Sequence, residues 1–301
     1  MFRICDSRIF VVVFLSMASV TAQAVDLSRD AQDRLRSRLV VDESAINLWP
    51  ALGESFDWNI GPSFDPQLFM NGIEAVAGIE GVWEAGETER SWRAETPFHT
   101  IKVIKEKMLF VVRDQRPYYL DPIPESMPED SVLLEQARTL LEAIGARPDE
   151  METHHIAFRA RRSKPHKNLS SAPPSAPEKM SKKVYFDRSI GGIPIKGDKI
   201  VFTFSLDGRF RKMIGKWRRI DYGASTMSSS LSEEQFLSVS VEQLLVAGVD
   251  PDDAFPIYLG TTYVPYEISP GVFAVDLKGV ARIGIYGPNG ERRWHMHYYD
   301  I

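Results

Sequence analysis

His295 and His297 stand two apart in Trp294-His295-Met296-His297, a stretch whose alternation predicts a strand. Both imidazoles then project from one face with Arg293 and Tyr299, opposite Trp294, Met296 and Tyr298. Two imidazoles so spaced can begin a metal site, but such a site needs a third protein ligand. His154 or His155 would have to supply it from a neighbouring strand, and nothing in the sequence brings them there. The preferred reading is a polar, solvent-facing strand, with no metal ligand assigned.

Other candidate chemistries fare no better. Ser228, Ser229 and Ser230 lack the Gly-x-Ser-x-Gly setting that lifts a nucleophile onto a strand-to-helix turn, and read as linker polarity. Asp149, Glu150 and Glu152 read as the scattered carboxylates of any acidic surface, whereas glycoside hydrolysis needs two carboxyls facing one another across a cleft. The sole cysteine, Cys5, lies ahead of an apolar run and would leave with it, so the mature chain has no thiol for a disulfide, a zinc ligand or a nucleophile. No residue is assigned a catalytic, cofactor-binding or metal-ligating role, and no cofactor is expected. Trp83, Trp92, Tyr118 and Tyr119 are read as core aromatics rather than a recognition surface. The basic run Arg159, Arg161, Arg162, Lys164, Lys167, Lys179, Lys182 and Lys183 is read as solvating a long loop, with contact to anionic lipid or another acidic surface in the envelope as the alternative.

The N-terminus carries an address. Arg3 and Arg8 precede the apolar run Ile9 to Val20, and Ala22-Gln23-Ala24 supplies a small-x-small cleavage pattern, so residues 1–24 read as a signal peptide. The run has 12 residues, short of the roughly 17–25 that a spanning helix needs. Export to the periplasm or beyond is expected. Removing two cations (Arg3, Arg8) and one anion (Asp6) takes the net charge from −5 to −6. That acidity, and a basic stretch without interleaved aromatics, argue against nucleic acid as a partner. With 301 residues, 44% apolar and 26% charged, the chain suits two or three compact units.

Leu27, Ala31, Leu35 and Leu39 predict a helix over about 25–42 with Ser28 as N-cap, and 45–92 reads as loops with short strands. Ile101 and Val103, then Met108, Phe110 and Val112, predict a hairpin over 99–120, before Pro117, Pro122, Pro124 and Pro128 mark a boundary near 126. Leu133, Ala137, Leu140 and Ile144 predict a helix stopped by Gly145. Strands follow around 156–160, 184–195 and 200–206, with an Asp207-Gly208 turn leading into Phe210, Ile214 and Trp217. Ser232 and Gln235 form a capping box for a last helix ending at Gly248. Strands at 257–266, 272–277 and 281–286 come next, and Asn289-Gly290 turns into the histidine strand.

The order helix, strands, hairpin turn occurs twice. From Ser131 to Gly208 is 77 positions, and from Ser232 to Gly290 is 58; the difference of 19 nearly equals the 20 residues of the Pro/Ser/Lys stretch 163–182. One flexible insertion in the first copy reconciles two repeats.

The segment Val184-Tyr185-Phe186-Asp187-Arg188-Ser189-Ile190-Gly191-Gly192-Ile193-Pro194-Ile195-Lys196-Gly197, followed by Ile200 to Phe204 and Asp207-Gly208, resembles the PepSY and FTP propeptide domains of thermolysin-type metalloproteases. The match covers about 25 residues, and Gly191 stands where Asn is frequent in the family. The resemblance implies an exported α+β protein of tandem modules, each a helix on a twisted antiparallel sheet of about four strands, restraining a peptidase or regulating an envelope process. No His-Glu-x-x-His occurs, so any protease would be a separate chain. The expected layout is 1–24 signal peptide, 25–126 helix and hairpin region, 127–223 first module with its insertion at 163–182, and 224–301 second module. The expected function is non-enzymatic binding or regulation through a peptide or protein partner, with strand addition at an open edge as one mode. The alternative is an envelope hydrolase with a histidine and carboxylate site on the C-terminal strands.

Overall fold

A computed structural model describes residues 28–41, 64–78, 82–116, 127–152, 154–161, 178–226, 231–252, 255–286 and 292–301. The signal peptide, Asn289-Gly290, Ser228 to Ser230, Tyr118, Tyr119, and all of the 163–182 insertion but its last five residues lie outside them. The chain is of mixed α and β content, with four α-helices among the described residues and thirteen strands in one hydrogen-bonded network.

Eight of those strands form one antiparallel sheet in the order β2-β3-β4-β5-β9-β8-β7-β6. They are β2 (Glu84–Glu87), β3 (Ser91–Glu95), β4 (His99–Ile104), β5 (Leu109–Asp114), β6 (His154–Arg161), β7 (Glu178–Ile190), β8 (Ile193–Phe204) and β9 (Phe210–Lys216). The resemblance implies about four strands here. The sheet is wider because β5, from the hairpin ahead of residue 126, pairs with β9 across the expected boundary, Val112 opposite Met213. Residues 178–182 of the expected insertion are strand, beginning β7 opposite β6.

Two helices cover one face of this sheet. Helix α2 (Pro66–Ala77) falls in the stretch expected to be loops and strands, although its signals are orthodox. Asp65 Oδ1 accepts from the Gln67 and Leu68 amides at 2.8 and 3.1 Å, Pro66 occupies the first turn, and Gly78 ends the helix at φ 57°. Helix α3 (Asp130–Ala143) lies against it where Gly72 leaves room: a Cβ there would meet the Ala143 Cβ at 2.7 Å. Phe69 and Ile73 of α2, with Leu133, Ala137 and Leu140 of α3, bury against Ile101, Phe110, Phe186 and Phe202 of the sheet. Trp92 is buried in this core and Trp83 is packed against it, as expected of core aromatics.

A second core sits under β1 (Leu39–Val41), β11 (Phe255–Ser269), β12 (Val272–Tyr286), β13 (Arg292–Asp300) and the short β10 (Arg219–Ile220). Helices α1 (Arg29–Arg36) and α4 (Glu233–Val246) supply Ala31, Leu35, Phe236, Val241 and Leu244 to it. The first helix is shorter than expected. Leu39, read as the fourth member of its stripe, instead starts β1, which pairs parallel to β11. Two long strands replace the three expected between 257 and 286; β12 runs on through Gly279, where a Cβ would lie 2.2 Å from the Tyr299 ring. The capping box at Ser232 and Gln235 forms as expected.

The β7–β8 hairpin belongs to both cores. Val184, Phe186, Ile200 and Phe202 face the first, and Ile190, Ile193 and Ile195 the second. Gly191 and Gly192 make its two-residue turn at φ 56° and 81°, a left-handed pair that matches the twist of a hairpin. β8 also touches β11 through Ile195 opposite Tyr263, which links the two groups of strands.

Candidate binding face

The face of the eight-stranded sheet turned away from α2 and α3 is covered by no described helix and carries a band of charged and apolar side chains. With one face turned to α2 and α3, alternation sends every second side chain the other way. Registers align Arg93, Lys102, Val111, Ile214, Val201, Tyr185 and His155 in one row across seven strands. A second row runs Glu95, Thr100, Arg113, Lys212, Thr203, Lys183 and Ala157. The middle of the first row is apolar and half-buried; most of what flanks it is cationic.

Two carboxylates among the cations of this face are engaged, while Glu84, opposite Glu95 at the β2 edge, forms no ion pair with a described residue. Glu95 pairs with Arg93, and Asp187 with Lys199 at 2.9 Å. Lys102, Arg113, Lys183, Lys212 and Lys216 form no ion pair with any described residue. Over β2 to β5 the face dips into a concavity of about 850 Å³ whose walls include Arg93, Lys102, Arg113 and Glu95, with Val111 among its lining. Gly86 at its rim has open space where a side chain would stand.

Two buried ionic clusters hold the scaffold. At the junction of the two cores Arg188, 4% exposed, donates to Glu150 Oε1 at 2.6 Å, Asp198 Oδ2 at 3.1 Å and the Arg218 carbonyl at 2.5 Å. Its guanidinium lies 5.1 Å from the Trp217 ring centre, and Trp217 Nε1 donates to Glu150 Oε2 at 3.3 Å. Tyr222 donates to Glu150, and Arg218 pairs with Asp198 through both its side chain and its amide. Burial pushes the Asp198 carboxyl above its usual range against the pull of Arg188 and Arg218. Glu150, read from sequence as surface acidity, is 2% exposed.

The second cluster sits at the end of β5. Asp114 accepts from Arg116 at 2.9 and 3.0 Å and from Arg211 at 2.8 Å, with His99 Nε2 at 3.7 Å. Burial opposes ionisation of Asp114, but the bonds from Arg116 and the charge of Arg211 outweigh it and hold the carboxyl below its usual range. Burial lowers His99 below the usual imidazole range.

The histidines singled out from sequence do not converge. His154 and His155 lie on β6, the edge strand beside β7, with the His155 ring stacked on Tyr185 at 4.4 Å. His295 and His297 lie on β13 and share a face with Arg293 and Tyr299, as expected, but Tyr299 is buried and donates to Ser240 Oγ of α4 at 2.7 Å. That face is therefore the helix side of its sheet near Tyr299, while Trp294 and Met296 are exposed on the other. Among the described residues no three His, Cys, Asp or Glu side chains gather to hold a metal. No described helix is long and apolar enough to cross a membrane.

No known protein family matches the chain, and no curated protein matches it. An uncharacterized protein of solved structure from Eubacterium rectale aligns over 89% of this chain and 94% of its own, at 9% identity and a TM-score of 0.48.

Proposed function

We propose that the chain is an exported, non-enzymatic binding or regulatory protein that engages a peptide or protein partner, built from two PepSY-like helix-on-sheet units. The observation that carries this reading is the uncovered sheet face, where five cations stand without ion-pair partners around an apolar row. Such exposed and uncompensated surface is more expensive to keep in a scaffold than a neutral one, and a partner accounts for it. Support for the two-unit reading comes from the two hydrophobic cores, each made by helices against strands. The glycine hairpin on which the family resemblance rests is shared by both cores.

The test has two parts. The N-terminus of the secreted chain, read by mass spectrometry, is expected at Val25. A photo-crosslinking residue in place of Ile214, Phe158 or Tyr258 samples the open face, the β6 edge and the C-terminal sheet. A discrete protein adduct at one of the three supports the reading. A chain retained in the cytosol with residues 1–24 intact, or no adduct at any position, would overturn it.

A further inference from the structure

We infer that the open face of the eight-stranded sheet is a receptor for an acidic, apolar-containing polypeptide segment, an inference that rests on the binding-protein reading above. Charge segregation is the first argument. The chain carries net −5, yet this face presents unpaired Lys102, Arg113, Lys183 and Lys212. A partner that buries part of such a surface must bring compensating negative charge, and the same field speeds its arrival.

Shape and side-chain type select the class of anion. Arg113 on β5, Lys212 on β9 and Lys183 on β7 lie along one register row, with Thr203 between the last two. At about 4.8 Å per strand, that row sets cations over roughly 14 Å. Beside it runs the floor of Val111, Ile214 and Val201, each half-buried. These apolar side chains are short and branched, and the lysine and arginine stems rise past them. A lipid surface calls for the reverse, apolar groups that protrude beyond the cations into the acyl layer. A polypeptide segment instead lays small apolar side chains on the floor and turns carboxylates to the cationic row. Arginine provides paired donors for a carboxylate, and lysine a mobile point charge.

The probe is a fluorescently labelled peptide alternating Glu and Val, of about twelve residues, long enough to reach roughly 40 Å when extended. It is titrated into the mature full chain and followed by anisotropy. Binding that weakens as salt rises is expected, with the all-Glu peptide weaker and the Lys/Val peptide inactive. Arg113→Glu with Lys212→Glu is expected to reduce affinity by at least about tenfold, while the far-ultraviolet spectrum and melting profile stay those of the parent. Lys102→Glu with Lys183→Glu is the second pair, should the first disturb the sheet. The inference is overturned if no peptide binds, if both reversed pairs bind as the parent does, or if vesicles containing phosphatidylglycerol bind where the peptide does not. A crosslinked partner at Phe158 or Tyr258 alongside such a result removes this face and leaves the binding-protein reading standing; no adduct at any position removes both.

Discussion

Asp114 and Asp198 are built alike and behave differently. Each carboxylate is gripped by two arginines, Arg116 and Arg211 in one case, Arg188 and Arg218 in the other. Asp114 sits where a strand ends, and the Arg116 side chain is 29% exposed, so its cluster keeps water on one side. Asp198 sits between two cores, and the Arg188 side chain is 5% exposed. Hydrogen bonds win at the first site and the carboxyl is held low; desolvation wins at the second and the carboxyl is pushed up. An ion pair's contribution is thus set by what surrounds it more than by who its partners are.

The largest effect that would sharpen this contrast is Arg188→Met, which strands Glu150 and Asp198 in the interior. A loss of about 3–5 kcal/mol in urea unfolding is expected, the range for breaking a buried pair from one side. Arg211→Met leaves Asp114 its three bonds from Arg116, two from the side chain and one from the amide, and is expected to cost about 1–2 kcal/mol by the same measurement. Equal losses would break the comparison.

The two sites also act on pH with opposite sign. Asp114, its folded value lowered, contributes stability that is present above its unfolded value near 3.8 and is lost as pH falls through the lower folded value. Asp198, raised, favours the folded state most below that unfolded value, and the benefit fades as pH rises through its raised one. Asp114→Asn is therefore expected to flatten the stability profile on the acid side of 3.8, and Asp198→Asn on the alkaline side. Matching profiles for the two variants would refute the assignment. The smallest effect sets the zero of the scale: Lys212→Glu, at an unpaired and partly exposed cation, is expected to change unfolding free energy by less than about 0.5 kcal/mol.

Much of the local structure was legible in the residues because its signals are local. The stripe from Leu133 to Leu140, the Ser232 capping box and the Asp207-Gly208 turn each lie within a few positions of one another. Helix α2 does not stand out from a Gly-, Trp- and Phe-rich stretch without a sustained period, although Asp65, Pro66 and Gly78 bracket it, and Gly72 in its middle finds its reason only in the close approach of Ala143. The open face needed the pairing of β5 with β9, residues about a hundred positions apart, before Arg113 and Lys212 could be seen as neighbours. Its apolar row was hidden for the same reason. In sequence Ile214 is one of three apolar residues on the returning strand with Phe210 and Trp217, and only the strand register turns it away from their side. Glu150 carried no sign of burial, since Arg188, Trp217 and Tyr222 all reach it from far along the chain.

The shared β7–β8 hairpin bears on how the chain comes apart. Its 13- and 12-residue strands thread both hydrophobic clusters and meet at two glycines. Neither cluster can melt without releasing strand from the other, so heat should meet a single barrier where the count of cores would suggest two. A protease that nicks the Gly191-Gly192 turn would cut a staple common to both halves, and the chain should lose its calorimetric peak whole rather than in stages.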